Sequence, residues 1–172
     1  EAKVIAGETK YIGDVVIPSI IEYDGVTYSV TSIGDYAFYD CSNLVSVEIS
    51  NSIRNIGVSA FEDCKGLKEI SIPESVAVVS KDAFAGCSGL GEIVLPGSVV
   101  SLGDGAFAGC TSLKSAIIPG TLQYVGSSSF SGCTALVDVI ICDGISNVSN
   151  YMFDNCSQLE NLTIGNGAAS IG

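Results

Sequence analysis

The sequence predicts an α/β solenoid: coils of 23 residues stacked along one axis, each pairing a short β-strand with a one-turn helical or 3₁₀ segment. Three columns of residues predict it. Phe recurs at positions 38, 61, 84, 107, 130 and 153, Cys at 41, 64, 87, 110, 133 and 156, and Leu at 44, 67, 90, 113, 136 and 159. Every step is 23 residues, and no insertion breaks the columns from residue 33 onwards. A fixed period of this length marks a stacked-repeat architecture. One coil cannot bury its own apolar residues, whereas stacked coils bury Leu on Leu and Phe on Phe.

Each unit begins with a strand. In "LKEISIP" (67–73), Leu67, Ile70 and Ile72 are apolar and the end of the run alternates with period two, the pattern of a strand with one buried face. Pro73, Pro96 and Pro119 follow directly, where a missing N–H ends a ladder without breaking its middle. Two aliphatic columns accompany the strand: Ile49, Ile72, Leu95, Ile118, Ile141 and Ile164, then Ile33, Ile56, Val79, Leu102, Val125, Val148 and Ile171. The stretch "KDAFAGC" is too short for an independent helix, and its Ala-Phe pair suggests a single helical or 3₁₀ turn. Gly86, Gly109 and Gly132, just before the cysteine, suit a tight reversal. With strands about 4.8 Å apart, six coils make a rod on the order of 30 Å long.

Residues 1–32 depart from the period and are expected to form an N-terminal cap. "VVIPSIIEYDGVTYSVTSIG" reads as a repeat with extra residues, and the surplus contains "EYDGVTY", a hairpin signal around Asp24-Gly25. Residues 33–172 then hold about six repeats, the last one incomplete, which suggests a longer parent and leaves open whether the final coil stacks on another molecule. The chain starts Glu1-Ala2-Lys3 without an initiator Met, as expected of a mature or trimmed form.

"SIGDYAFYDCSNLVSVEIS" and "LKEISIPESV" resemble the BspA-like leucine-rich repeats, a 23-residue class found chiefly in bacterial surface and secreted proteins. The resemblance spans about residues 11–172. It implies a curved, right-handed leucine-rich-repeat solenoid with a parallel β-sheet on the concave face and short 3₁₀ or helical turns on the convex face. It implies adhesion to host matrix proteins or to other cells, and it brings no catalytic residues. Four positions depart from the pattern: Ala116 in the strand, Ser129 and Met152 before Phe, and Cys142 where other coils carry Pro.

Composition narrows the partners. The chain has 7 Lys+Arg against 19 Asp+Glu, a formal charge of −12. A duplex-binding protein needs a basic face to release counterions, so nucleic acid is not an expected partner. Docking on anionic lipid is disfavoured for the same reason. No apolar run approaches the roughly 20 residues of a membrane span, so no membrane insertion is expected. Histidine is absent, which removes the Cys-His and Ser-His nucleophile pairs and every His-containing zinc set. No catalytic residues, cofactor or metal site are expected.

The cysteine ladder is therefore expected to be packing. Neighbouring coils hold the Cα atoms about 5 Å apart, within disulfide range. Parallel in-register side chains nonetheless set the Cβ vectors side by side, a poor start for the disulfide dihedral. Zinc needs tetrahedral convergence rather than a line. Disulfides stay the principal alternative to a buried thiol in a small apolar slot. Cys142 lies off the ladder.

Candidate binding residues alternate with the core positions of the strands. One column runs Glu48, Ser71, Val94, Ile117, Ile140 and Thr163, and its neighbour Ser46, Glu69, Glu92, Ser115, Asp138 and Asn161. The apolar stripe Val94–Ile117–Ile140 beside the carboxylates of Glu69, Glu92 and Asp138 has the composition of a binding patch. β-Branched residues pairing across strands for stability alone is the alternative. The expected function is a non-catalytic binding or adhesion module, secreted or on the cell surface, recognising a protein or glycan. A purely structural spacer is the other reading. The chain is expected to be a monomer or to associate weakly end to end.

Overall fold

The computed structural model describes residues 1–171. Residues 1–33 contribute four strands: β1 (Ala2–Val4), β2 (Gly13–Ile17), β3 (Ile20–Tyr23) and β4 (Val26–Ile33). The coils that follow contribute β5 (Leu44–Ile49), β6 (Asn55–Ile56), β7 (Val78–Val79), β8 (Glu92–Val94), β9 (Ser101–Leu102) and β10 (Ser115–Ile118). The last five are β11 (Tyr124–Val125), β12 (Asp138–Ile141), β13 (Asn147–Val148), β14 (Asn161–Ile164) and β15 (Ser170–Ile171).

The coils form two parallel walls rather than one. The first is the expected sheet, in the order β14-β12-β10-β8, with β2 and β5 paired separately. The second runs β1-β4-β6-β7-β9-β11 and is built from the aliphatic column Ile33, Ile56, Val79, Leu102 and Val125. Its strands are mostly two residues long, too short for alternation to signal them. Register is exact in steps of one coil: Ile118 pairs with Ile141, and Ile141 with Ile164. A single core lies between the walls, holding the Phe, Cys, Leu and aliphatic columns. The phenyl rings stack with centroids 4.9 to 5.2 Å apart from Phe38 to Phe130, and the last step to Phe153 widens to 5.9 Å.

The convex turns are not helical; the described residues contain no helix. In the first coil the amides of Ala37, Tyr39 and Cys41 close turns onto the carbonyls of Gly34, Tyr36 and Phe38. The amides between them, of Tyr36, Phe38 and Asp40, donate instead to Val58, Ala60 and Glu62 of the next coil. A helix or 3₁₀ segment would consume every amide within its own chain segment. Here half are exported as rungs, so the turn acts as a third ladder. The alternation requires positive φ twice per coil. Gly86, Gly109 and Gly132 take it at 69°, 70° and 72°, and Asp40, Asp63 and Asn155 occupy the same column. A second column, Tyr36, Ser59, Asp82, Gly105, Ser128 and Tyr151, is also left-handed.

A second correction concerns residues 67–73. The period predicts a strand there, yet the segment pairs with neither β5 nor β8. The backbone of residues 69–72 makes no hydrogen bond to a neighbouring coil; the nearest is the Gly91 amide donating to the Lys68 carbonyl at 3.2 Å. Glu69 shares its column with Ser46 and Glu92 of the adjoining coils, with Glu48 diagonal to it, and like charges on neighbouring strands weaken their pairing.

At the N-terminal end, β3 and β4 form an antiparallel hairpin whose turn is Asp24-Gly25, with φ of 51° and 72°. Both central residues of a type I′ turn need positive φ, which Asp-Gly tolerates. Two parallel strands join the repeats, β1 on β4 and β2 on β5. Tyr11 lies on Phe38 with centroids 4.8 Å apart, extending the aromatic column by one ring.

Candidate functional site

Two columns stand on the open face of the first wall, as the alternation requires. Val94 pairs with Ile117 and Ile117 with Ile140, and these side chains are 57%, 38% and 46% exposed. Between them on the same strands, Ile93, Ala116, Val139 and Ile118 are buried, so the stripe is the outward set of an otherwise apolar run. The second column aligns Glu92, Ser115, Asp138 and Asn161 in register. Asn161 Nδ2 donates to Asp138 Oδ1 at 2.7 Å, so one oxygen of Asp138 already has a hydrogen-bond partner within the chain. Glu69 and Glu92 are exposed without a hydrogen-bonding or ionic partner among the described residues.

The face reaches further towards the N-terminus than the repeats alone indicate. β2 pairs with β5 so that Asp14 lies beside Ser46 and Val16 beside Glu48. The Ser46 hydroxyl donates to Asp14 Oδ1 at 2.6 Å. Sequence reasoning missed Asp14 and Val16 because the first coil lacks the period. The available signal was "GDVVIP", which ends in the same aliphatic-Pro pair as the later strands. Where residues 67–73 leave the sheet, a groove of about 590 Å³ opens. Its lining includes Glu48, Glu69, Ser71, Glu74, Glu92 and Val94.

The cysteine ladder lies inside the core, in the turn that leads into each segment of the first wall. All seven cysteines are free, and Cys64, Cys87, Cys110 and Cys133 are fully buried. The thiols of Cys64, Cys87, Cys110, Cys133 and Cys156 each donate to the Phe carbonyl of the preceding coil, at 3.0, 3.1, 3.3, 3.2 and 3.2 Å. Burial pushes the Cys64 thiol up to about 12 and that of Cys156 to about 11. Cys87 is raised by burial and then by its neighbour Cys64. A thiol held protonated is a hydrogen-bond donor and a poor nucleophile. Among the described residues, no group of three or more His, Cys, Asp or Glu is placed to hold a metal ion. Among the described residues, no helix is long and apolar enough to cross a membrane.

The departures from the repeat are each accommodated. Ser129 is buried with its hydroxyl donating to the Gly126 carbonyl at 2.7 Å. Met152 is buried. Cys142, half-buried, replaces a Pro and donates its amide to Ile118 at 2.9 Å, a bond no Pro could make.

The chain matches the family model for the BspA type leucine rich repeat region in six copies, over residues 21–117 and 78–172. Among solved structures it is similar to a leucine-rich repeat protein of T. pallidum, with 31% identity and a TM-score of 0.85 over 95% of this chain and 75% of that one. A leucine-rich repeat protein from Bacteroides ovatus shares 31% identity with a TM-score of 0.67, over 92% of this chain and 47% of that one. A leucine rich cell surface protein from Faecalibacterium prausnitzii shares the fold at 20% identity and a TM-score of 0.57, over 99% of this chain and 68% of that one. No curated protein matches.

Proposed function

The chain belongs to the BspA type leucine-rich repeat proteins, and from that premise we propose that it is a non-catalytic binding module. It recognises a protein or glycan through the open face of the first wall, as part of a secreted or surface-exposed bacterial protein. The observation that carries this reading is the exposed, in-register stripe Val94–Ile117–Ile140. These water-facing apolar residues on three successive coils lie outside the core, which is buried behind them. Contiguous apolar surface rimmed by carboxylates is a common form of recognition site. The surface location is supported by the name of the F. prausnitzii relative.

The test is retention of a partner from host matrix or bacterial surface extracts by the immobilised chain. Ile117→Lys with Ile140→Lys places two charges in the stripe without touching the core. Loss of the partner with an unchanged melting temperature is the expected result, and undiminished retention by the folded double variant would sink the reading. A structural spacer is the second reading. It is favoured by the B. ovatus relative, of which this chain spans 47%, and it expects no partner that depends on the stripe.

A further inference from the structure

The open face is divided along the solenoid axis. Towards the N-terminal coils it is acidic, with Asp14, Glu48, Glu69, Glu74 and Glu92 all exposed. Towards the C-terminal coils it is mainly apolar, with Val94, Ile117 and Ile140 beside a single carboxylate, Asp138, which Asn161 hydrogen-bonds. The two parts meet on β8, where Glu92 and Val94 are two residues apart.

The acidic part is left uncompensated by the chain itself. The three ion pairs among the described residues, Lys10–Asp40, Lys65–Asp63 and Lys81–Asp82, involve none of these five carboxylates. The groove over residues 46–48, 69–72 and 92–96 has four Glu and no Lys or Arg in its lining. It opens where the ladder is broken, so the N–H and C=O groups of residues 69–72 are without inter-coil partners. Acidic side chains and an adjoining apolar stripe thus occur on one surface. An anion is repelled there. A neutral sugar gains the hydrogen bonds but leaves the carboxylates of neighbouring coils facing one another. A cationic side chain relieves that repulsion.

We propose that the partner is a basic protein segment, whose Lys or Arg side chains sit over Glu69 and Glu92 while its apolar side chains cover Val94, Ile117 and Ile140. This rests on the binding reading above and narrows it to one chemistry. The centres of the cationic and apolar groups of the segment are separated by one and a half coil spacings, roughly 7 Å.

The probes are two synthetic 12-residue peptides, one carrying two Lys pairs and two Leu pairs, the other identical with Glu for Lys. Calorimetric titration at low salt should detect binding of the Lys peptide only. Its affinity should fall at least tenfold in Glu69→Gln/Glu92→Gln and in Ile117→Ser/Ile140→Ser. It should change less than twofold in Glu8→Gln/Glu62→Gln, which removes the same charge from outside this face. Equal losses in the two Gln pairs, equal binding of the Glu peptide, or no binding of the Lys peptide overturns the proposal. The surface partner separates the two readings. Its loss in Ile117→Lys/Ile140→Lys with full retention in Glu69→Gln/Glu92→Gln leaves the binding function standing and removes the basic segment. Retention in both variants removes both.

Discussion

The Cys87 thiol donates to the carbonyl oxygen of Phe61 at 3.1 Å, and that same oxygen accepts the amide of Cys64 at 3.1 Å. One acceptor therefore ties a coil to itself and to its successor, which accounts for sulfur recurring at a position where Ala would also fit. Cys87→Ala loses the donor and leaves a small void, and should cost about 1–2 kcal/mol. Denaturant unfolding of the variant measures it; an unchanged midpoint would mean the bond contributes nothing.

Thiol chemistry should separate the ladder from its exception. In native protein, a disulfide exchange reagent such as DTNB should modify half-buried Cys142 first, with Cys64, Cys87, Cys110 and Cys133 reacting only as fast as the chain opens. Mass spectrometry of the partly labelled protein identifies the order. Early labelling of Cys87 contradicts a sealed core.

Alkali should destabilise the fold. Cys64 and Cys156 have folded-state values raised by burial to about 12 and 11, from an ordinary 9.0. A raised thiol keeps its proton in the fold and loses it in the unfolded chain. The contribution is therefore whole below pH 9 and is lost as pH rises from about 9 towards 12. Each buried thiol steepens the loss by up to about 1.4 kcal/mol per pH unit. Melting temperature should be level from pH 7 to 8.5 and fall by pH 10.5, less steeply in Cys64→Ala/Cys87→Ala.

The aromatic column should fail from its C-terminal end. Phe84 is fully buried between rings 5.1 Å away on both sides, whereas Phe153 is half-buried with one neighbour at 5.9 Å. Phe84→Ala should cost about 3–5 kcal/mol and Phe153→Ala clearly less. Hydrogen exchange should show the amides of residues 147–164 opening before those of residues 56–95. Uniform exchange along the rod would contradict this.

Two surface substitutions should stabilise the chain. Ser128 holds φ at 56° in a column where Gly105 has the same left-handed conformation. Ser128→Gly removes a penalty on the order of 1 kcal/mol, offset in part by the entropy of an added glycine in the unfolded chain. Glu69→Gln removes the like-charge contact with Glu92 in the same column and should add about 0.2–1 kcal/mol at low salt. The gain at Glu69 should vanish in high salt while that at Ser128 persists.

The period, the core and the outward columns were legible in the residues because every coil repeats the same contacts with its neighbours. A Phe, a Cys or a Leu returning every 23 positions has only its own kind to pack against. The alternation in "EIVLP", "SAIIP" and "DVIIC" likewise assigns Val94, Ile117 and Ile140 to the open face, since side chains on a strand change sides at each residue. The convex turn was not legible. "KDAFAGC" carries helix-forming Ala, and only contact between coils decides that alternate amides leave the segment to bond the next coil. The thiol bonds to Phe carbonyls, the two-residue strands of the second wall and the gap at residues 69–72 have the same origin. Each depends on what lies one coil away, 22 to 26 residues along the chain, and on charges that become neighbours only when the coils stack.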